Sequence, residues 1–251
     1  QIDRRSGDVV SKAARNEIVT RDVPKAAAET SLLEHYRPFF AALGNKPVGA
    51  ISSELRRGRD DDGESALGDV VADAFLEAAQ AIDPRTVAAF ANSGGIRSDL
   101  LGQAPTIPGG PRPVVYSNAF DVLPFGNVVQ IKTVTGETIL RWLEQQFDNP
   151  QPPLAKIMQV AGVTYSYSRT RPAGQRIDRA SVRIGGQPLM GGEHYRVVSS
   201  DFVWNGGDAF AAATEGTETM TVGTDVDVLV AYLGKHSPLS VGPQTRLRRE
   251  P

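Results

Sequence analysis

Four stretches of the chain repeat apolar residues every three or four positions, the spacing that gathers them on one face of a helix. They predict helices at Pro24 to Leu43, Ser65 to Ile82, Thr135 to Phe147 and Asp225 to Lys235. Asp22 can cap the first helix, with Pro24 in its first turn, and Gly44 can end it. Asn149-Pro150 is expected to end the third, because the residue before a proline avoids the helical conformation.

Short apolar or alternating runs between turn-forming residues predict the strands. The run from Thr86 to Ala91 is apolar almost throughout and indicates a buried strand. The other predicted strands are Lys46 to Leu55, Val114 to Tyr116, Val128 to Val134, Gln159 to Ser168, Ser181 to Ile184, Tyr195 to Ser200 and Gln244 to Arg248. Helices and strands alternate in the first part of the chain, and strands dominate after Met158. This order predicts an α+β fold with a mixed sheet packed with helices.

The composition is that of a soluble globular protein. The chain has 251 residues, of which 40% are apolar and 22% charged, and its formal net charge is -2. A charge so close to zero argues against a nucleic acid or an acidic membrane as partner. No apolar run approaches the roughly 20 residues that span a bilayer. We therefore expect no nucleic-acid and no membrane partner.

Metal-binding and cofactor-binding patterns are missing from the sequence. Cysteine is absent, which excludes disulfides, thiolate ligands and a cysteine nucleophile. The three histidines, His35, His194 and His236, lie in unrelated segments rather than at the close spacing of metal ligands. We therefore expect neither a metal site nor a cofactor within this chain.

A glycine turn, Asn92-Ser93-Gly94-Gly95-Ile96-Arg97, follows the predicted buried strand. Gly94 and Gly95 lack Cβ atoms and allow positive φ, so backbone amides there can approach a ligand closely. Asn92 carries an amide that can pair with a base edge or a hydroxyl, and Arg97 carries a planar fork suited to phosphate or carboxylate. The alternative is a tight strand exit with Arg97 in an ordinary surface salt bridge.

Two further stretches place a phenylalanine beside a glycine turn. In Leu123-Pro124-Phe125-Gly126-Asn127, the proline restricts the backbone and the glycine frees it, so Phe125 is expected on a sharp turn that faces a cleft. In the second stretch, Phe202 precedes the turn Asn205-Gly206-Gly207, and Asp208 follows it. A single phenylalanine is more often a core residue, but a position beside a glycine turn weakens that interpretation.

These stretches occur in one chain with Gly63 to Asp69 (Gly-Glu-Ser-Ala-Leu-Gly-Asp) and Val134 to Thr138 (Val-Thr-Gly-Glu-Thr). Together they resemble the C-terminal, substrate-binding domain of the 5'-nucleotidase family of metallophosphoesterases. The resemblance covers Val48 to Arg246, which is nearly the whole chain. It implies a fold like that of the 5'-nucleotidase C-terminal domain.

The resemblance also implies three parts. Residues 1–20 are expected to be a remnant of, or a connection to, an N-terminal metallophosphatase domain. Residues 21–45 would form a linker helix between the two domains, although an ordinary packing helix is an open alternative. Residues 46–251 would form the substrate-binding domain.

By the same resemblance, the glycine turns bind a nucleotide. Phe125 and Phe202 would sandwich the base and Asn92 would hydrogen-bond its edge. Asp208 would accept hydrogen bonds from the ribose hydroxyls, and Arg97 would contact the phosphate side. The implied substrate-binding residues at the turns are Asn92, Gly94, Gly95, Arg97, Phe125, Asn127, Phe202 and Asp208.

One further contact departs from the family pattern. The family has a ligand-contacting arginine shortly before its helix motif, and counting back from Gly68 this chain has Asp61 there. Arg57 or Arg59 must then supply the cation, and the sequence leaves open which of them does. No catalytic residue is expected among any of these positions.

Enzymes of the resembled family hydrolyse nucleotides with water activated by two metal ions, which an N-terminal domain holds. The Asp-x-His, Asn-His-Glu and Gly-His-x-His motifs of that domain do not occur here. The resemblance therefore implies the nucleotide-binding half of a secreted, periplasmic or cell-surface phosphomonoesterase. This half would be inactive alone. Its partners would be an AMP-like nucleotide or nucleoside and a metallophosphatase domain that carries two divalent ions.

Two other functions remain open at this point. The chain could be a stand-alone module that binds nucleosides or nucleotides without turning them over, or a structural domain whose cleft has lost its ligand. The substrate is also open, because members of the family cleave nucleoside monophosphates, UDP-sugars, cyclic nucleotides or dinucleotides.

Overall fold

The computed structural model describes residues 1–147 and 156–251, so the predicted helix stop at Asn149-Pro150 lies outside the described residues. The chain divides into two compact units, residues 1–41 and 42–251. The division into a remnant, a linker helix and a substrate-binding domain remains a prediction.

Helix α1 spans Ala27–Gly44 and ends at the predicted glycine. It begins later than predicted, so Asp22 and Pro24 precede it. The helix starts where alanines, the best helix formers, follow one another. Instead of capping the helix, the Asp22 carboxylate accepts a hydrogen bond from the Thr20 hydroxyl.

The second unit alternates helices and strands up to α4 and consists mainly of strands after it. Its helices are α2 (Ala66–Ile82), α3 (Tyr116–Val122), α4 (Gly136–Gln145), α5 (Asp201–Trp204) and α6 (Asp225–Lys235). Its strands are β1 (Pro47–Ile51), β2 (Thr86–Asn92), β3 (Arg112–Val115), β4 (Val128–Thr135), β5 (Met158–Ala161), β6 (Val163–Ser168), β7 (Arg183–Ile184), β8 (Gln187–Pro188), β9 (His194–Ser200), β10 (Thr217–Thr224) and β11 (Leu247–Glu250). This composition confirms the predicted α+β class.

The central sheet has five strands in the order β10-β4-β9-β2-β5. Strands β9 and β2 are parallel, and the other neighbouring pairs are antiparallel, so the sheet is mixed as predicted. A four-stranded sheet has the order β11-β6-β7-β8, and β1 pairs with β3 in a two-stranded sheet.

Strand β2 is buried on both faces of the central sheet. Ala89 and Ala91 belong to the core that contains the apolar side chains of α2 and α6, whereas Ala88 and Phe90 belong to the core on the α4 side. In that second core the Phe90 ring stacks on Trp142 with 4.6 Å between ring centroids. A strand covered on both faces must be apolar throughout, which is why its sequence predicted burial.

The stretch from Gly63 to Asp69 fastens α2 to the rest of the unit. The buried Glu64 carboxylate accepts three consecutive backbone N–H groups, Thr245 to Leu247, at 3.2, 2.9 and 2.9 Å. Gly68 packs so closely on Gln159 that a Cβ would lie 2.2 Å from the Gln159 Oε1 atom. In this chain the stretch therefore joins α2 to β5 and to the start of β11.

Asp69 lies one turn into α2 and is buried. Burial raises its pKa to about 8, an effect that the nearby positive charge of Arg246 opposes and the Glu64 carboxyl reinforces. The ordinary aspartate pKa of about 3.9 applies to the unfolded chain. Between these values the native state holds a proton that the unfolded state has released. The free energy of unfolding is therefore expected to fall as pH rises from about 4 to about 8 and to level off above that range.

Asp69→Asn is expected to remove most of this fall, because the amide is neutral at every pH. Urea unfolding at several values between about pH 5 and pH 9 measures the slope in the variant and in the unmodified chain. Asp121→Asn, at an exposed carboxylate on α3, is the matched control and should leave the slope unchanged. An unaltered slope in Asp69→Asn would show that another group titrates.

Several strand predictions are wrong at their ends. The strand predicted from Lys46 to Leu55 spans only Pro47–Ile51, and the one predicted from Ser181 to Ile184 spans only Arg183–Ile184. The predicted strand Val114 to Tyr116 stops at Val115, because the Asn118 side chain accepts a hydrogen bond from the Val115 N–H at 3.1 Å and Tyr116 begins α3. The last strand begins at Leu247, three residues beyond the predicted Gln244.

Two further differences arise from long-range packing. The predicted strand Gln159 to Ser168 is two strands in different sheets, separated by Gly162. The φ of Gly162 is 69°, and a Cβ there would lie 2.1 Å from the Val87 carbonyl oxygen. Strand β10 was not predicted. It is a largely exposed edge strand, so it lacks the alternation of apolar and polar residues that marks a half-buried one.

Candidate functional site

The glycine turns meet at one edge of the central sheet. Strands β2 and β9 are parallel, so their carboxyl ends lie at the same edge, and β4 is antiparallel to β9, so its amino end lies there too. Asn92 ends β2, Phe202 follows β9 and Asn127 precedes β4. Loops at the carboxyl ends of neighbouring parallel strands are a common place for ligand sites.

A cavity of about 390 Å³ opens at this edge. Its lining residues are Asn92, Gly94, Gly95, Arg97, Phe125, Asn127, Phe202 and Asp208. All of them belong to the set that the sequence analysis named. The two remaining members of that set, Arg57 and Arg59, line a neighbouring open depression of about 670 Å³ that shares Gly94 with the cavity.

The two phenylalanines of the cavity are not core residues. Phe125 exposes 59% of its surface and Phe202 exposes 42%, whereas Phe90 in the core exposes none. Phe125 lies on a turn before Gly126, whose φ of 64° matches the expected glycine conformation. Gly207 lies against the other ring, since a Cβ on it would come within 2.6 Å of the Phe202 ring atoms. Both rings therefore offer exposed aromatic surface from closely packed turns.

The glycine turn after β2 works differently from the prediction. Gly94 and Gly95 form a 3-10 turn with Ser93 and do not adopt the expected positive φ. The turn requires space instead. A Cβ on Gly95 would lie 3.0 Å from the Asn92 Oδ1 atom, and one on Gly94 would lie 3.3 Å from the Asp208 Oδ2 atom. The glycines leave room for these two side chains to lie across the turn.

Asp208 holds a strained backbone conformation, with φ 56° and ψ 23°. A non-glycine residue in the left-handed region is uncommon, and such strain is often found at functional sites. Its Oδ2 atom accepts a hydrogen bond from the Asn92 amide at 3.0 Å, and its Oδ1 atom accepts one from the Lys156 ammonium at 3.0 Å. Two donors from distant parts of the chain therefore hold this carboxylate at the cavity.

Asn127 is held by the start of α6. Its side-chain amide nitrogen donates to the Asp225 Oδ2 atom at 3.0 Å, and its backbone carbonyl oxygen accepts a hydrogen bond from the Asp225 backbone N–H at 2.9 Å. Asp225 is buried, and burial raises the pKa of its carboxyl group. Asp225 was not among the predicted residues, because nothing local in a helix start distinguishes a residue that holds a side chain 98 positions away.

Arg97 lies beside Phe125, with its guanidinium carbon 5.8 Å from the ring centroid. One guanidinium nitrogen donates to the Gly94 carbonyl at 3.0 Å, and its backbone N–H donates to the Val122 carbonyl at 2.9 Å. These bonds tie the glycine turn to the end of α3 and leave the rest of the guanidinium at the cavity wall.

The arginines before α2 are partly engaged. The Arg57 backbone N–H donates to the Asp99 carboxylate at 2.9 Å, and its guanidinium donates to the Ile96 carbonyl at 3.3 Å. Arg56, which also lines the depression, pairs with Glu54 at 2.5 Å. A contact of Arg57 or Arg59 with a ligand remains a prediction.

Metal-ligand clusters and membrane-spanning helices were both sought among the described residues. Over residues 1–147 and 156–251, no three or more histidine or carboxylate side chains come together in a way that could hold a metal ion. No helix in this part of the chain is long and apolar enough to cross a membrane.

Comparison with known protein families tests the resemblance described from the sequence. The sequence profile described as "5'-nucleotidase, C-terminal domain" matches residues 44–215 of this chain, which include every residue that lines the cavity. The chain belongs to this family.

Relatives of this 5'-nucleotidase C-terminal domain include longer proteins. The cell wall protein Lmo0130 of Listeria monocytogenes is 30% identical over 243 residues, a match that covers 93% of this chain and 30% of the relative. An apyrase of Tabanus yao is 26% identical, and the match covers 90% of this chain and 42% of the relative. The chain thus spans less than half the length of either protein.

A solved structure shares the fold of this 5'-nucleotidase C-terminal domain. The crystal structure of a 5'-nucleotidase precursor from Thermus thermophilus matches with a TM-score of 0.73 and 27% identity, over 89% of this chain and 43% of the other. The match agrees with the expected family fold.

Proposed function

We propose that the cavity binds the nucleoside part of a nucleotide. Phe125 and Phe202 stack on the base, Asp208 accepts hydrogen bonds from the ribose, and Arg97 contacts the phosphate side. The observation that carries this proposal is the exposure of two phenylalanines on turns that line one cavity with a fixed carboxylate. Two exposed rings that line the same cavity fit a stacking role, because every base has a π face.

The base edge needs a hydrogen-bonding partner in this proposal, and Asn92 is the candidate. Its amide nitrogen is engaged by Asp208. The Asn92 Oδ1 atom is then the group that would accept from a base or a hydroxyl.

An anionic group would extend from the cavity across Gly94 into the neighbouring depression. Arg57, Arg59 and Arg56 line that depression. Guanidinium groups pair well with phosphate oxygens, so this is the side on which we place the phosphate.

For the intact protein we propose a hydrolase of the 5'-nucleotidase type. Two divalent ions on an N-terminal metallophosphatase domain would act on the phosphate that this chain presents. Relatives that are about twice as long or longer support a further domain. The cell wall relative and the precursor structure support a secreted, periplasmic or cell-surface location. The substrate-binding role of the chain does not depend on these statements about the intact protein.

Titration calorimetry of the chain with adenosine, AMP and ribose 5-phosphate tests the binding proposal. A base stacked on an aromatic ring contributes roughly 1–3 kcal/mol. Ribose 5-phosphate lacks the base, so its affinity should be lower than that of AMP by about tenfold or more. Equal binding of AMP and ribose 5-phosphate would contradict the stacking role.

The same chain should release no phosphate from AMP, because the residues proposed to hold the metal ions belong to another domain. Phosphate release by the pure chain that a chelator abolishes would contradict this expectation. If the intact protein also binds nucleosides but releases no phosphate from AMP, the alternative function, a stand-alone nucleotide-binding module, would be favoured.

A further inference from the structure

The carboxylate of Asp208 has a defined number of free acceptor positions. An ionised carboxylate offers about four lone-pair sites on its two oxygens. Asn92 occupies one site on Oδ2 and Lys156 occupies one site on Oδ1, each at 3.0 Å. About one site on each oxygen is then left for a ligand, which matches two adjacent hydroxyl donors.

Lys156 differs from Asn92 in charge and in reach. Its ammonium has three N–H groups, of which one is directed to Asp208. Its side chain is 34% exposed, compared with 23% for Asp208, so the pair is partly open to the solvent. A ribose hydroxyl that donates to Asp208 can at the same time accept from this ammonium.

The Asp208 carboxylate extends from a strained turn, in which Asp208 and Ala209 both have positive φ, at 56° and 66°. The hydrogen bonds from Asn92 and Lys156 hold the direction of its side chain. Without the ammonium, one oxygen of the carboxylate would lose its fixed donor and the group could rotate towards water. Both hydrogen bonds are charge-assisted, because the acceptor is an ionised carboxylate, but only the bond from Lys156 joins two opposite charges.

We propose that Lys156 is a positioning residue for ribose recognition: it orients the Asp208 carboxylate and supplies a second hydrogen bond to the ribose diol. The inference rests on the proposed nucleoside binding. It adds a specificity for nucleosides that carry both ribose hydroxyls. The group that provides this specificity is the Lys156 ammonium, which lies outside the glycine turns.

The test compares adenosine with 2',3'-dideoxyadenosine by titration calorimetry at low salt. Lys156→Met keeps the length of the side chain and removes the charge. We expect about a tenfold loss of adenosine affinity, the size of one charge-assisted hydrogen bond, and less than about a twofold change for the dideoxynucleoside. Lys156→Arg should restore most of the adenosine affinity. In an Asp208→Asn background, Lys156→Met should have little further effect.

Lys235→Met is the matched control, because Lys235 also forms an ion pair at 3.0 Å, with Glu77, away from the cavity residues. It should change neither affinity. Equal losses for both nucleosides in Lys156→Met, or no loss for adenosine, would overturn the inference while leaving nucleoside binding intact. Failure of the unmodified chain to bind either nucleoside would overturn the proposed function and the inference together.

Discussion

Phe202→Ala is expected to weaken adenosine binding by about 5- to 150-fold, and Phe125→Ala by a similar factor. The physical reason is that each ring would contribute roughly 1–3 kcal/mol of stacking, and alanine removes the whole π surface. Because both rings are already exposed at 42% and 59%, their removal leaves no cavity in the core and the fold should remain stable. Titration calorimetry measures the affinities, and thermal unfolding checks the fold.

Phe120→Ala is the matched control. Phe120 is also an exposed phenylalanine, at 37%, but it does not line the cavity. Its replacement should leave adenosine affinity unchanged. If Phe125→Ala and Phe202→Ala fold normally and bind adenosine as the unmodified chain does, the two rings do not stack on the base.

Glu64→Gln is expected to lower the free energy of unfolding by about 2–4 kcal/mol. The Glu64 carboxylate is buried and accepts the backbone N–H groups of Thr245, Arg246 and Leu247. Glutamine has nearly the same shape but presents one N–H₂ group where an acceptor is needed, so buried donors lose their partner. Urea unfolding measures the loss.

Glu77→Gln, at a glutamate within α2, gives the comparison. Glu77 pairs with Lys235 and His236 at 3.0 and 2.7 Å, but its side chain is 35% exposed. A solvent-exposed ion pair contributes about 0–1 kcal/mol, so the control should lose much less stability. Similar losses in both variants would mean that Glu64 does not fasten α2 to the chain before β11 in the way described.

The candidate site could be predicted from the sequence because its residues lie in short local motifs. Glycine, proline and phenylalanine at fixed spacing marked the turns at Asn92 to Arg97 and at Phe125, and all the turn residues named for the site line the cavity. Their ligand roles remain predictions. The reason given for Gly94 and Gly95 was wrong in part, because neither glycine adopts positive φ. The sequence shows that both residues lack a Cβ atom, but it does not show which neighbouring side chains occupy that space.

Lys156 and Asp225 could not be found in this way. Lys156 reaches Asp208 across 52 positions, and Asp225 holds Asn127 across 98. Neither follows a local pattern, because an ordinary lysine or an ordinary helix start has the same sequence whether or not a distant side chain lies beside it. The arginines present a related case: the sequence named Arg57 and Arg59 but could not place them in a depression beside the cavity.

The sequence alone determined the elements whose signal is local. Thr135 and Ser65 cap their helices with side-chain oxygens 3.1 and 3.0 Å from backbone N–H groups, as such residues do before an amphipathic run. The apolar run at β2 determined a strand buried on both faces. Tertiary structure alone decided that β5 and β6 belong to different sheets, that exposed β10 forms an edge, and that Glu64 binds the chain before β11. These features depend on hydrogen bonds and packing between residues far apart in the chain, which periodicity and capping preferences cannot encode.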